Sequence, residues 1–100
     1  MWARVSTYQL PSDDAETGLQ RFSEALGDLK EPGLERADLL VDRSSGKALT
    51  ITVWDSEQSL QTSVEAANKL RSSAADAANV AILDVQHYEI VEREESPAIH

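Results

Sequence analysis

Two strings of side chains in this 100-residue sequence have the types and spacing to build a chemical site: Arg4, Ser6 and Tyr8, and Thr50, Thr52 and Trp54. Residues two apart in an extended chain project from one face. Together the two strings would supply a guanidinium for an oxyanion, hydroxyls that donate or accept, and an indole surface. Trp54, at the end of its string, reads first as a core residue and second as a group that stacks on a ligand. His87 and Glu89 share a strand face in the same way, a pairing that could move a proton or hold a metal. Metal sites want three or four ligands, and the other histidine, His100, falls in the terminal tail, so no metal is expected. Ser44-Ser45-Gly46-Lys47-Ala48 approaches a phosphate-binding loop. Val41 stands where the first glycine of that motif belongs and Ala48 where its hydroxyl belongs, so the stretch reads as a hairpin turn.

These side chains need strands and helices to hold them. Residues 2–10 alternate polar and apolar positions and stop at Pro11, which predicts a strand. Asp13 with Glu16 three residues later has the form of a capping box. Ala15, Leu19, Phe22, Leu26 and Leu29 then mark one face of a helix, ended by Pro32-Gly33. Residues 34–42 and 47–54 predict a hairpin joined by residues 43–46. A second helix, capped by Asp55 or Ser56, should bury Leu60, Val64, Ala67, Leu70, Ala74 and Ala78 and end at Asn79 or Val80; residues 82–91 give the last strand. Arg71 lies one position past that stripe, where a solvated helix arginine is the expected reading and an anion anchor the alternative.

The order β-α-β-β-α-β is the split arrangement of ferredoxin-like α+β folds: a four-stranded antiparallel sheet with both helices on one face and the first and third strands at its centre. Leu49, Ile51 and Val53, being aliphatic, are expected under the helices, which would leave Trp54 on the uncovered face in a space closed by a second sheet. If Val5 also lies under the helices, Arg4, Ser6 and Tyr8 join Thr50 and Thr52 there. The alternative for that trio is a salt-bridged surface face.

One domain, residues 1–91, is the natural reading of this length, followed by an acidic tail at 92–100. Thirteen of the 41 apolar residues are alanine, so the core is thin and a second copy covering one face would add burial. The net charge of −9 and the absence of a basic stripe argue against nucleic acid and anionic membranes. No apolar run approaches a membrane span, and Arg4, Ser6 and Gln9 interrupt what would be a signal's apolar stretch. With no cysteine there is no disulfide framework or thiol nucleophile, and a cytoplasmic, soluble protein is expected.

Pro32-Gly33-Leu34, the hairpin residues 40–48 and the run Val53-Trp54-Asp55-Ser56-Glu57-Gln58-Ser59-Leu60 resemble the dimeric α/β-barrel superfamily, in particular the small antibiotic biosynthesis monooxygenase-like proteins. The resemblance implies a homodimer whose sheets pack face to face, with a small-molecule pocket between sheet and helices in each protomer. It also implies a function: binding of a small aromatic ligand, with cofactor-independent oxidation of electron-rich phenols as the activity. There the protein binds, desolvates and stabilises the substrate anion, and no cofactor is required. Under this resemblance Trp54 and Arg71 are the candidate catalytic residues, and Arg4, Ser6, Tyr8, Thr50, Thr52 and His87 bind ligand. Arg71 or Arg4 would stabilise the anion, and Tyr8 or His87 would handle a proton. Thr50 stands where those enzymes carry an asparagine and Leu60 where they carry a tyrosine. The second helix has neither the histidine nor the tryptophan of the haem-degrading branch. The alternative is a non-catalytic dimeric domain with a structural or ligand-sensing role. A cavity of roughly 300 Å³ or more beside Trp54 would favour a ligand, and a filled interior the alternative.

Overall fold

The computed structural model describes residues 1–94; the remainder of the expected tail, 95–100, lies outside the described residues. The elements are β1 (Trp2–Gln9), α1 (Ala15–Asp28), β2 (Leu34–Asp42), β3 (Lys47–Trp54), α2 (Glu57–Thr62), α3 (Val64–Ala78) and β4 (Ala81–Glu89). The strands form one antiparallel sheet in the order β2-β3-β1-β4, with the helices on one side. This is the expected βαββαβ architecture.

Local chemistry sets the element ends. Asp14, rather than Asp13, caps α1: its carboxylate accepts from Thr17 N at 3.3 Å and Thr17 Oγ1 at 2.7 Å. Glu16 is thereby released from the expected capping box and pairs with Arg43 instead. The hairpin turn closes because the Asp42 carboxylate accepts from Ser44 N and Oγ, an Asx turn. Gly46 then takes a left-handed φ of 78°. Asn79 ends α3 in the left-handed conformation, which asparagine tolerates.

The second helix is not continuous. It breaks at Ser63, whose hydroxyl donates back to Leu60 O at 2.7 Å, a local bond that competes with the helix ladder.

The sheet is also turned over relative to expectation. Pairing sets Arg4 opposite Thr52, Ser6 opposite Thr50 and Tyr8 opposite Ala48, and all six are buried beneath the helices together with Trp54, which is 0% exposed. Val5, Leu49, Ile51 and Val53 occupy the opposite face, where their neighbours Leu40 and Tyr88 remain 43% and 53% exposed. The buried residues of α3 are Ala67, Ala74, Ala75 and Ala78 beside Arg71, with Leu70 partly buried, so the sheet sends up long side chains to fill the layer. Two clusters result. Tyr8, Phe22, Leu19 and Ala48 pack with α3 alanines and β2's Leu39 and Val41, while Trp54 packs with Leu29, Leu60 and Ala67.

Candidate functional site

A cleft between sheet and helices draws its lining from both clusters. Arg4, Ser6, Tyr8, Thr50 and Thr52 form its floor, and Phe22, Ala25, Leu26, Leu29, Ala67, Leu70 and Arg71 its walls. The lining is mostly apolar above and hydroxylated below. Its cavity volume is about 40 Å³, well below the roughly 300 Å³ that would favour a ligand.

Arg4 is 3% exposed and is fixed on three sides. Its Nη2 donates to Leu60 O and to Ser63 Oγ, both at 3.0 Å, and its Nε donates to His87 Nε2 at 3.3 Å. Its guanidinium carbon lies 5.5 Å from the Trp54 ring centre, a cation–π contact. The remaining nitrogen, Nη1, is buried without a hydrogen-bond partner among the described residues. A buried donor left unpaired costs about 1–3 kcal/mol. The break at Ser63 therefore has a use, because it presents a carbonyl and a hydroxyl side by side to one guanidinium.

Arg71 is 9% exposed, against the expectation of a solvated helix arginine, and its Nη1 donates to Asn68 Oδ1 at 2.7 Å. The small side chains around it let the helix sit close to the sheet and enclose it. Among the described residues no carboxylate forms an ion pair with Arg4 or Arg71. Burial first, and the Arg71 charge second, pull the Arg4 pKa down to about 10, while Tyr8 acts in the opposite direction. The same causes, burial and then Arg4 and Arg71, hold His87 below the ordinary imidazole value. An uncompensated pair of cations in an apolar cleft stabilises a negative group placed between them.

Tyr8 OH and Thr50 Oγ1 share a hydrogen bond of 2.9 Å, and the Tyr8 ring packs on Phe22 at 4.2 Å between centres. Trp54 Nε1 donates to Thr52 Oγ1 at 2.9 Å. Thus Arg4, Ser6, Tyr8, Thr50, Thr52 and Arg71 meet in the cleft lining, whereas Trp54 and His87 lie behind Arg4 and contact it. Glu89 is exposed and makes no hydrogen bond with His87. Ser63 and Asn68, which position the two arginines, were missed by sequence reasoning; a serine standing in the buried line of the helix between Leu60 and Ala67 was the available signal.

Nearly the whole chain superposes on solved structures. A Deinococcus radiodurans protein provisionally named an antibiotic biosynthesis monooxygenase matches with a TM-score of 0.74 at 20% identity over 96% of this chain and 98% of that one. The fold is that of the antibiotic biosynthesis monooxygenase-like proteins. A Nitrosomonas europaea protein of the same provisional name matches with a TM-score of 0.70 at 12% identity, covering 92% of this chain and all 100% of its own. A dimeric ferredoxin-like protein from an uncultured marine organism gives 0.70 at 12% identity, over 95% and 98% of the two chains. No family model matches the sequence, and no curated protein does. At these identities the likeness establishes architecture, and the chemistry has to be argued from the cleft itself.

Proposed function

We propose that the protein binds a small, electron-rich aromatic molecule in the cleft between its sheet and helices and oxidises it with dioxygen, using no cofactor. The observation that carries this reading is the pair of buried arginines, Arg4 and Arg71, in a mainly apolar cleft with no carboxylate among the described residues paired to either. In this setting a phenol loses its proton more readily than in water, and the resulting anion is the electron donor to oxygen. Tyr8 with Thr50 is the hydroxyl pair positioned to relay that proton, and Trp54 acts through Arg4 and Thr52. The monooxygenase names carried by similar structures favour the same reaction class.

The working unit in this reading is a homodimer formed through the uncovered sheet face, where Val5, Leu49, Ile51 and Val53 lie beside exposed Leu40 and Tyr88. A cysteine-free chain suits the cytoplasm. Oxygen consumption with electron-rich phenols and quinols, alongside Trp54→Ala and Arg71→Ala, tests the proposal. Turnover by the native protein that falls in both variants is expected; neither oxygen uptake nor ligand-dependent tryptophan quenching would reject it. The narrowness of the cleft supports a second reading, a non-catalytic domain that senses a ligand. Saturable binding without oxygen uptake would favour it.

A further inference from the structure

Arg4 ties an imidazole at the sheet edge to the break in the second helix. His87 lies on β4, an edge strand, and is half-buried, so protons reach it from solvent. Its Nε2 accepts from Arg4 Nε at 3.3 Å, which requires the neutral ring with its proton on Nδ1. The same guanidinium donates from Nη2 to Leu60 O and Ser63 Oγ, the two groups presented where α2 gives way to α3. The charges that act on His87 are Arg4 from β1 and Arg71 from α3, both cationic. Glu89 on its own strand is exposed and makes no hydrogen bond with it, Tyr8 further along β1 acts on Arg4, and the joint between α2 and α3 offers Arg4 only uncharged oxygens.

We infer that His87 is an acid-sensitive latch: neutral, it holds the Arg4 guanidinium against the joint between α2 and α3, and protonated it lets go, so that the joint loosens and with it the α3 wall of the cleft. Protonation turns the acceptor into a donor and sets a third cation beside two, with no carboxylate among the described residues in an ion pair with either arginine. Swinging the imidazole out to water relieves the repulsion but leaves Nε as well as Nη1 without a partner in a buried group. Either way the guanidinium loses its fixed seat over Trp54. Leu60 O and Ser63 Oγ keep their mutual bond, so the helices survive the change. Ala67, Leu70 and Arg71 of α3 line the cleft and carry the loosening to it. Burial and the two arginines hold His87 below the ordinary imidazole value, which puts the change below about pH 6.5. The inference holds whatever the cleft binds.

The indole N–H resonance of Trp54, told from that of Trp2 by a Trp2→Phe variant, reports the latch in the native chain. Followed from pH 7.5 to 4.5, it should shift in one reversible step at the pH where the His87 imidazole titrates in the same sample. The amides of Ser63 and Ala67, which bond across the joint, should exchange about tenfold faster beyond the step once corrected for intrinsic pH dependence, while the far-ultraviolet helix signal stays constant. His87→Gln, whose amide oxygen accepts at every pH, should abolish the step. His87→Lys, which never accepts, should show the acid-state Trp54 resonance already at pH 7.5. A His87 that titrates without moving Trp54, a step that survives in His87→Gln, amide exchange that stays unchanged, or a helix signal that collapses together with the step would overturn the latch.

Discussion

Replacing Arg4 by methionine should cost the empty protein little stability at neutral pH, although it destroys the proposed anion site. The guanidinium is held in the fold with its pKa pulled down to about 10. At about 1.4 kcal/mol per pH unit below the ordinary arginine value, that corresponds to about 3 kcal/mol of destabilisation at neutral pH. Deleting the charge also deletes three hydrogen bonds, but their acceptors are not stranded. Ser63 Oγ and Leu60 O retain their mutual bond of 2.7 Å, and His87 is only half-buried and can turn to water. Methionine keeps an apolar stem against Trp54. Three lost bonds at about 1 kcal/mol each offset that deficit, so the variant should lie within about 1 kcal/mol of the native protein at neutral pH, or about 5 °C in Tm for a chain of this size. The sign with pH follows from a depressed basic group. The native protein carries the full deficit below about 10 and loses it as pH rises through that value towards the unfolded one. Urea unfolding of both proteins between pH 7 and 11 measures the difference, which should move in favour of the native protein by about 1.4 kcal/mol per unit above pH 10. A variant that is about 3 kcal/mol or more less stable at pH 7, or a difference that ignores pH, would refute the assignment of Arg4 as a buried, uncompensated charge.

His87 is held below its ordinary value by burial and by Arg4 and Arg71, so its contribution is complete above about pH 6.5 and lost as the pH falls below it. Melting curves from pH 7.5 to 5 should show a smaller acid-side loss in His87→Gln than in the native protein; identical slopes would contradict the contact with Arg4. Ile51→Glu places a charge on the uncovered sheet face and should give a monomer in sedimentation while leaving the near-ultraviolet signal of Trp54 unchanged. Unaltered sedimentation would overturn the proposed dimer through that face. Gly33 adopts φ of 89°, and a Cβ there would overlap Ser59 and crowd Asp55. Gly33→Ala should therefore cost about 2–4 kcal/mol in a denaturant titration, and a loss under 1 kcal/mol would show that the turn relaxes freely.

Most of the fold was legible because the signals that set it are local. The hairpin limits at Asp42 and Lys47 follow from turn chemistry, the α1 stripe from helical spacing, and the sheet order from the alternation of strands and helices. The capping aspartate was misplaced by one residue because Asp13 and Asp14 are equivalent in type. Only the partner, Thr17 instead of Glu16, distinguishes them. The split at Ser63 was illegible for a different reason. Its second cause is Arg4, a residue far away in sequence that arrives at the helix only once β1 is in the sheet.

The inverted sheet face shows what an aliphatic-inside rule omits. It weighs strand residues by hydropathy alone, whereas the layer between sheet and helix is filled by volume, and the volume available depends on the helix. An α3 lined with alanine and one arginine asks for Trp54, Tyr8 and Arg4 from below, and it has no use for a second row of isoleucine and valine. The cross-strand partners carried the same message: Leu39 stands opposite Thr50 and Val41 opposite Ala48, so the threonine face already had an apolar neighbour on β2. Once the large side chains turn inward, the rest of the site follows. Trp54 becomes the platform beneath Arg4, His87 becomes the acceptor at its edge, and the aliphatic row falls on the face without helices. The resemblance placed a tryptophan at the pocket, but side-chain size sets Trp54 behind the Arg4 guanidinium and outside the cleft lining.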